Sequence, residues 1–297
     1  MKKLFLALTL IISSLSISAQ DTIAEGDTTN LAFWKHNGIA SLNFSQTSLS
    51  NWSAGGDNAV AANAIFNGNL KYRKGNWLWN TLLGLEYGLT RTKAGGSQKA
   101  TDKIALNTQL GYSTDNKWFY TLMADFQSQF AKGYNYPNKD EYISKFMAPA
   151  YSNVSAGIEL RPKGSYYTVY FSPAAGKFTF VNDDFLSERG FFGVNPGDKF
   201  RAEFGTFLRA TYQKEIMENV KLMTDANFFT AYDNSFGNID IDWNMLINMK
   251  INKYLNANIN TSLKYDDDVK AISEDGTKKG PKVQFKEIIG IGIGYNF

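Results

Sequence analysis

The chain has 297 residues, no cysteine and a formal net charge of +3 at pH 7, from 31 Lys and Arg against 28 Asp and Glu. This composition excludes a disulfide framework and a lipid anchor on cysteine, and it gives no reason to expect a nucleic-acid partner. Six Trp, 16 Tyr and 22 Phe accompany a mean hydropathy of −0.31. So many aromatic rings in a mildly polar chain favour a protein that meets both water and lipid.

The N-terminus has the pattern of a secretory signal peptide. Lys2 and Lys3 precede an apolar run over 4–15, and small residues follow up to Ala19. The run is shorter than the ~20 apolar residues of a membrane-spanning helix. We therefore predict a signal peptide at 1–19, cleavage after Ala19 and a mature N-terminus at Gln20.

The rest of the chain shows period-2 alternation between turn signals, which is typical of β-strands with a different solvent on each face. In one such strand, Ala62, Ala64 and Phe66 alternate with Asn63 and Asn67. The pattern predicts twelve strands, at about 38–51, 62–72, 77–90, 102–113, 118–132, 143–161, 166–181, 199–214, 220–232, 239–252, 255–265 and 282–297. We expect a periplasmic N-terminal segment at 20–37 and a single barrel domain at 38–297.

The links between these strands alternate in length. Short links are expected near 75, 115, 163, 218 and 253, and longer ones at 52–58, 92–101, 133–142, 182–198, 233–238 and 266–281. Outer-membrane barrels combine an even strand number with short periplasmic turns and longer external loops. The fold class predicted is therefore all-β, a closed transmembrane antiparallel β-barrel of about twelve strands with both termini periplasmic, because an open sheet edge in hydrocarbon would leave backbone groups unpaired.

The last strand has the form of an insertion signal. Ile289, Ile291, Ile293, Tyr295 and Phe297 share one face, opposite alternating glycines. A strand closed by terminal aromatics predicts the cell outer membrane as the location, with the barrel-insertion machinery, outer-membrane lipid and lipopolysaccharide as partners. Two girdles of interfacial aromatics are expected, and they are Tyr72, Trp77, Tyr112, Trp118, Tyr212, Tyr295 and Phe297 beside the short turns and Tyr87, Phe130, Phe200, Tyr232, Tyr265 and Phe285 toward the long loops.

Four segments carry a resemblance to a known family. They are the run 42–56, LNFSQTSLSNWSAGG, the run 143–151, ISKFMAPAY, the tripeptide Phe171-Ser172-Pro173 and the pair Gly193-Val194. Together they resemble a family of uncharacterised outer-membrane barrels of the Bacteroidota, catalogued as a domain of unknown function. The resemblance covers essentially the whole mature chain. It implies the barrel fold and the outer-membrane location, and it brings no catalytic residues.

The inward face of the predicted barrel is polar and carries both signs of charge. The polar residues expected to line the lumen include Glu86, Lys103, Asp125, Arg201, Glu203, Arg209, Asp225 and Asn244. Pairing of Tyr212 with Leu222 would set Arg209 opposite Asp225, and the analogous register sets Lys103 diagonal to Asp125. Eight strands leave no channel and sixteen leave an aqueous one, so twelve is intermediate. These features favour a narrow or plugged pore for small polar solutes.

Glycines at inward positions, such as Gly157, Gly205 and Gly292, have two interpretations. They relieve crowding in a strongly curved sheet, or they make room for an inserted segment. The candidate plugs are the loop 182–198, with its Phe191-Phe192 pair, and the N-terminal segment from Gln20.

Two other binding functions stay open from the sequence. A non-conducting structural or scaffold barrel would dock other envelope proteins through exposed apolar loop residues at 52–56 and 186–194. Pro149 and Pro173 fall in adjacent predicted strands, where each removes a backbone donor, so they mark a candidate lateral opening for apolar ligands.

An enzyme is not expected. The single histidine, His36, is placed before the first strand, outside the barrel, where it has no catalytic partner. A rim hydrolase would have to use carboxylates such as Asp183, Asp184 and Glu188, or 266–268, which more often meet water or cations. No cofactor and no metal site is predicted, since no loop has the spacing of a calcium-binding EF-hand.

Overall fold

The computed structural model describes residues 33–47, 58–93, 95–136, 138–233, 236–267, 270–272 and 278–296. The predicted signal peptide, Gln20, residues 52–57 of the first long link and Phe297 lie outside this part of the chain. None of the helices within it combines the length and the apolar character that crossing a membrane requires.

Strands dominate the described residues. In chain order they are β1 Trp34–Thr47, β2 Ala59–Lys74, β3 Trp77–Thr92, β4 Gly96–Tyr112, β5 Trp118–Ser128, β6 Gly133–Tyr134, β7 Tyr142–Ser144, β8 Ala150–Leu160, β9 Tyr167–Phe180, β10 Phe200–Met217, β11 Val220–Ala231, β12 Asp240–Lys250, β13 Leu255–Tyr265, β14 Lys270–Ile272, β15 Lys278–Pro281 and β16 Gln284–Asn296. A short helix, α1 Asp184–Glu188, and a 3₁₀ turn, Phe191–Gly193, lie between β9 and β10.

Twelve of the described strands form one closed antiparallel barrel. Their order around the wall is β1, β2, β3, β4, β5, β8, β9, β10, β11, β12, β13 and β16, and β16 pairs with β1 to close it. The other four strands form two small hairpins, β6 with β7 and β14 with β15. The predicted closed barrel of twelve strands is therefore confirmed.

The strands alternate as the sequence pattern predicts. On β16, Ile289, Ile291 and Ile293 point outward and are 69%, 57% and 63% exposed, whereas Gly292 and Gly294 face inward and are buried. Exposed apolar side chains on the outer face and polar side chains inside reverse the arrangement of a water-soluble barrel. The barrel thus presents its apolar face to its surroundings.

The two ends of the barrel differ. One end, called here the turn end, carries the links 75–76, 113–117, 161–166, 218–219 and 251–254, together with the start of β1 and the end of β16. The opposite end, called the loop end, carries the loops 129–149 and 181–199 with their own small elements. The predicted division into short and long links holds for most of the chain.

One link departs from that prediction. The residues 92–101 were expected to form a long loop, but β3 and β4 continue beyond the apolar band, so that only 93–95 connect them. The Gly95 N–H donates to the Thr92 hydroxyl at 2.9 Å, and Gly96 has a φ of 64°, which suits glycine. A polar hairpin therefore replaces the expected loop.

β1 begins four residues earlier than predicted, at Trp34. Its indole lies 4.7 Å from the ring of Tyr72, and the Phe33 carbonyl accepts the Arg73 N–H at 2.8 Å, so the pairing with β2 extends to this end. The placement of His36 outside the barrel is therefore wrong. His36 lies within β1, opposite Leu70 on β2.

β9 contains a bulge that bends the wall. The register shifts by one residue against both β8 and β10 near Pro173. A Cβ at Gly157 would lie 2.1 Å from the Phe171 carbonyl oxygen, and one at Gly205 would lie 2.0 Å from the Thr230 carbonyl oxygen. These two inward glycines are required by the close approach of neighbouring backbone, which favours the crowding interpretation over room for a plug.

Candidate functional site in the barrel lumen

All eight predicted polar residues are placed on the inward face of the wall by the register. They are Glu86 on β3, Lys103 on β4, Asp125 on β5, Arg201, Glu203 and Arg209 on β10, Asp225 on β11 and Asn244 on β12. Two of the carboxylates are well shielded, since Glu86 is 8% exposed and Glu203 is 7% exposed. The cross-strand partners within this set of residues differ from those that the sequence predicted.

The expected Arg209–Asp225 pairing is wrong by two residues. Asn227 lies opposite Arg209, and Thr211 lies opposite Asp225, because the turn falls at 218–219 and Tyr212 pairs with Thr224 instead of Leu222. A guanidinium nitrogen of Arg209 instead lies 3.7 Å from the sulfur of Met123 on β5, three strands away. This side chain reaches into the lumen and does not bridge to its neighbouring strand.

The expected Lys103–Asp125 diagonal is also wrong. Asn107 lies opposite Asp125, whereas Lys103 lies opposite Glu86. The Asp125 carboxylate accepts a hydrogen bond of 2.9 Å from the Asn153 amide on β8. Asp125 is thus held by an uncharged partner.

One contact crosses the whole lumen. The ammonium of Lys264 on β13 donates to the amide oxygen of Gln127 on β5 at 3.3 Å. β13 and β5 are six strands apart in either direction around the wall, so the two residues face each other across the barrel. Lys264 also pairs with Asp242 on β12 at 3.2 Å. This cross-lumen bridge divides the interior into narrower passages.

A cluster of charges closes part of the lumen near the loop end. The buried ammonium of Lys177 on β9 lies 2.6 Å from the Asp240 carboxylate, 2.8 Å from that of Asp266 and 3.7 Å from that of Glu203. Arg201 pairs with the other oxygen of Glu203 at 3.0 Å. These ionic contacts span from β9 to the end of β13 and hold the loop-end mouth at a fixed width.

An apolar cluster fills another part of the interior. It consists of Met123, Tyr170, Ala175, Phe207, Phe229 and Ala231, each at most 6% exposed. The Tyr170 hydroxyl donates to the Ser155 hydroxyl at 2.9 Å, so its polar tip is satisfied. The sequence interpretation of a polar inner face missed this cluster, although its signal was present, as Phe207 and Phe229 occupy inward positions on adjacent strands.

The loop 181–199 covers the loop end by packing against the neighbouring loop 129–149. Ala148, Val181, Leu186 and Val194 form a buried cluster, against which the rings of Phe185, Phe191, Phe192 and Tyr142 pack. Phe191 and Phe192, the proposed plug residues, thus pack against this loop cluster. An inward side chain, Arg201, does touch this loop, donating to the Gly193 carbonyl at 3.2 Å.

The two loops are fastened by a latch around Asp183. Its carboxylate accepts from the Tyr142 hydroxyl at 2.9 Å and from the Leu186 N–H at 2.9 Å, and it pairs with the Lys145 ammonium at 2.5 Å. Burial alone would raise the pKa of Asp183, but the hydrogen bonds from Lys145, Leu186 and Tyr142 outweigh it and hold that pKa below its usual range. The hydrogen bond to Asp183 likewise raises the pKa of Lys145.

The two prolines proposed as a lateral opening lie in different settings. Pro149 is in the turn before β8, one residue outside the strand, so its predicted position within a strand is wrong, and its carbonyl accepts from the Ser128 hydroxyl at 3.2 Å. Pro173 lies in the β9 bulge, and its carbonyl accepts from the Tyr232 hydroxyl at 2.7 Å. β8 and β9 stay paired on both sides of this bulge.

The carboxylates considered for rim catalysis have structural partners. Asp183 caps α1, the exposed Asp184 pairs with Lys199 at 2.7 Å, and Asp266 belongs to the Lys177 cluster. Within the described ranges, no group of three or more His, Asp or Glu side chains is arranged to hold a metal ion. Tyr295 of the predicted insertion signal is 50% exposed at the turn end.

Comparisons with known proteins concern the barrel. Residues 44–134 match the family model described as "Protein of unknown function (DUF3078)". The chain is similar to the COG4313 outer membrane channel from Pseudomonas putida F1, with 12% identity, a TM-score of 0.42 and coverage of 93% of this chain and 100% of that one. It is similar to the translocator domain of the autotransporter NalP from Neisseria meningitidis, with 9% identity, a TM-score of 0.38 and coverage of 100% and 95%.

A third similar structure is the outer membrane phospholipase A from Escherichia coli, with 11% identity, a TM-score of 0.32 and coverage of 92% of this chain and 94% of that one. Among curated proteins, none matches the chain. What the protein does is therefore argued from its own residues.

Proposed function

We propose that this protein is an outer-membrane barrel whose lumen is a narrow pore for small polar solutes. The outward face supports the location. From Phe285 to Tyr295 on β16, ten residue steps of about 3.3 Å cover about 33 Å along the strand, or about 25 Å across a membrane at a tilt of about 40°. The outward residues of this span are apolar except Glu287 near its loop end, and the length matches the apolar band of outer-membrane barrels.

The proposed orientation places the turn end in the periplasm and the loop end outside the cell. Short turns are typical of the periplasmic side. β1 begins and β16 ends at the turn end, so both ends of the described barrel would face the periplasm. Tyr295, the described residue of the proposed insertion signal, would then lie on the periplasmic side.

The observation that carries the pore is the cross-lumen bridge. Lys264 and Gln127 meet across the barrel one residue from the loop-end termini of β13 and β5, and the Lys264 side chain is 41% exposed, so water reaches this contact at the loop-end mouth. A bridge across a wet mouth restricts entry to small solutes and leaves charged and amide groups for them to contact.

The test is single-channel conductance in planar bilayers, comparing the natural protein with the double variant Lys264→Ala, Gln127→Ala. We expect small discrete steps from the natural protein and larger steps from the variant. Lys199→Ala, which removes an exposed loop-end lysine, is the control and should leave the step size unchanged. Equal step sizes in the natural protein and the double variant would contradict the bridge as the constriction.

A second candidate, a non-conducting barrel that docks other envelope proteins, is supported by the apolar cluster of Met123, Tyr170, Phe207 and Phe229. These side chains occupy lumen volume on β5, β9, β10 and β11, which lie within a run of five neighbouring strands, and they pack as a protein core does. Silence of both the natural protein and the double variant in the bilayer would favour this function. Cross-linking in native membranes, followed by copurification of a defined envelope protein, would then identify the partner.

A further inference from the structure

Six basic side chains line the inner rim of the turn end. They are Lys35 on β1, Lys71 and Arg73 on β2, Arg161 after β8, Lys221 on β11 and Lys250 at the end of β12, and they are called here the turn-end cations. The register assigns them to the inward face. Lys35 lies opposite Lys71, which lies opposite Asn80, and Lys250 lies opposite the buried Asn256.

The charge of this group is poorly compensated. Arg161 pairs with Glu159 at 2.7 Å, and Glu215, the other inward carboxylate here, accepts the Asn219 N–H of the turn at 3.1 Å. In the described ranges, Lys35, Lys71, Lys221 and Lys250 take part in no ion pair. Six cations therefore face two carboxylates.

The cations are close enough to repel one another. Lys71 interacts electrostatically with Arg161, Lys221 and Lys35, which approach it from three other strands. The side chains of Lys35, Lys71 and Lys221 are exposed, so a solute in the vestibule can contact them. A converging set of like charges inside a narrow vestibule is stabilised by an anion at its centre.

Arg161 is the least available of the turn-end cations. Its Nε is buried, its terminal nitrogen binds Glu159, and its guanidinium lies over the Phe119 ring. The cations without an ion pair among the described residues, Lys35, Lys71, Lys221 and Lys250, are therefore the ones that are free to meet a ligand.

The loop end behaves differently. There the Lys177 ammonium contacts three carboxylates, and Arg201 shares one of them, so two cations meet three anions in direct contact. This cluster carries a net charge of −1, and Lys264 nearby is also paired, with Asp242 at 3.2 Å. Cations at the loop end thus have direct carboxylate partners, whereas most of the turn-end cations have none within the described part of the chain.

We propose that the turn-end cations form a binding site for small multivalent anions, of the phosphate class, inside the turn-end vestibule. Four or more cations converging from separate strands fit a ligand with several anionic oxygens better than a monovalent ion. Passage of such anions through the lumen rests on the proposed pore function, whereas their binding at the rim does not. Through this site the pore is expected to pass anionic solutes in preference to cationic ones.

Binding is tested by isothermal titration of inorganic pyrophosphate into the purified barrel in uncharged detergent. The lumen variant is Lys71→Gln, Lys221→Gln. The control is Lys163→Gln, Lys214→Gln, which removes two cations from the same end: Lys163 lies in a turn and Lys214 lies over the Tyr166 ring. We expect affinity to fall at least tenfold in the lumen variant, to stay within twofold in the control and to weaken as salt is added.

Absence of pyrophosphate binding to the natural protein, or equal loss in both double variants, would overturn the site. Reversal potentials in a potassium chloride gradient separate it from the pore proposal. Anion preference in the natural protein that disappears in the lumen variant supports both. Conductance without anion preference refutes the assigned solute class but keeps the pore, whereas pyrophosphate binding by a silent barrel keeps the site and refutes the pore. Heat-dependent electrophoretic mobility verifies that each variant forms the barrel.

Discussion

The latch between the two loop-end loops can be tested by neutralising a single carboxylate. Asp183→Asn keeps the size of the side chain, and asparagine is also a good N-cap, so the bond to the Leu186 N–H survives. The variant loses only the negative charge that pairs with the Lys145 ammonium. We expect the loop 181–199 to open locally more often while the barrel wall stays folded.

The magnitude follows from the burial of the two groups. A hydrogen bond to a charged group contributes about 1.5–3 kcal/mol when well buried. The Asp183 side chain is only 6% exposed, but that of Lys145 is 32% exposed, so solvent screening brings the expected loss to the low end of this range. A loss of about 1.4 kcal/mol corresponds to about tenfold faster exchange of the loop amides.

The assay is hydrogen–deuterium exchange of peptides from 181–199 and 129–149 in detergent at pH 7. The matched control is Asp184→Asn, because Asp184 is the neighbouring residue, carries the same charge and pairs with Lys199 on the exposed surface. The control should exchange as the natural protein does. Equal exchange in Asp183→Asn and the natural protein would refute the latch, and faster exchange throughout the barrel would show that the carboxylate stabilises more than these loops.

The pH dependence of the latch has a defined sign. The pKa of Asp183 is lowered in the folded protein, so its contribution is complete above the unfolded value of about 3.9 and is lost as the pH falls through the lower folded value. The pKa of Lys145 is raised, so its contribution is complete below about 10.4 and is lost as the pH rises through the higher folded value. Protection of the loop amides should therefore be greatest between these limits, after correction for intrinsic exchange rates.

Three further predictions concern the wall and the apolar cluster; two are measured by urea unfolding in detergent, and the one for Gly157 by heat-dependent electrophoretic mobility. Tyr170→Phe should cost about 1 kcal/mol because it removes a buried hydroxyl bond, and an unchanged midpoint would contradict that bond. Gly157→Ala should prevent the heat-resistant form, since the added Cβ would lie 2.1 Å from the Phe171 carbonyl oxygen. The control Gly84→Ala should be tolerated, because its Cβ would meet only a side-chain oxygen, at 3.2 Å. Equal behaviour of the two variants would refute the bulge geometry. Phe207→Ala should lower the free energy of unfolding by about 3 kcal/mol, because it opens a cavity in the apolar cluster. The control Phe204→Ala should lower it clearly less, since Phe204 points outward on the same strand and is 66% exposed. The reverse order would contradict the position of the cluster.

The strands and their inward or outward faces could be predicted because each face meets a different environment, and that leaves a period of two in the sequence. Ile289, Ile291 and Ile293 illustrate this, since their spacing alone assigns them to one face. The extension of β3 and β4 into residues 92–101 was missed for a related reason. Where β3 and β4 leave the apolar band, both faces are polar, and the alternation that identifies a strand disappears.

The alternation in the sequence could not predict the register between neighbouring strands or the contacts across the lumen. A shift of two residues along a strand keeps every side chain on the same face of the wall. The sequence pattern could therefore not decide whether Asp225 or Asn227 on β11 lies opposite Arg209. The bridge between Lys264 and Gln127 joins residues 137 positions apart, and nothing local encodes it. By contrast, the sequence did show Phe207 and Phe229 at inward positions. The inner face was nevertheless interpreted as polar, because most of the inward residues around them are polar.

The junction of β1 with β16 has a consequence for how the barrel is assembled. Within the described residues these strands pair at five positions, Ile39 with Asn296 through Asn43 with Gly292, which is fewer than any other neighbouring pair in the wall. The two strands are also the most distant in the chain, so bringing them together carries the largest loop-closure entropy. Closure is therefore expected as the final step of folding, and reopening of this junction as the first step of thermal unfolding, with the rest of the sheet still paired.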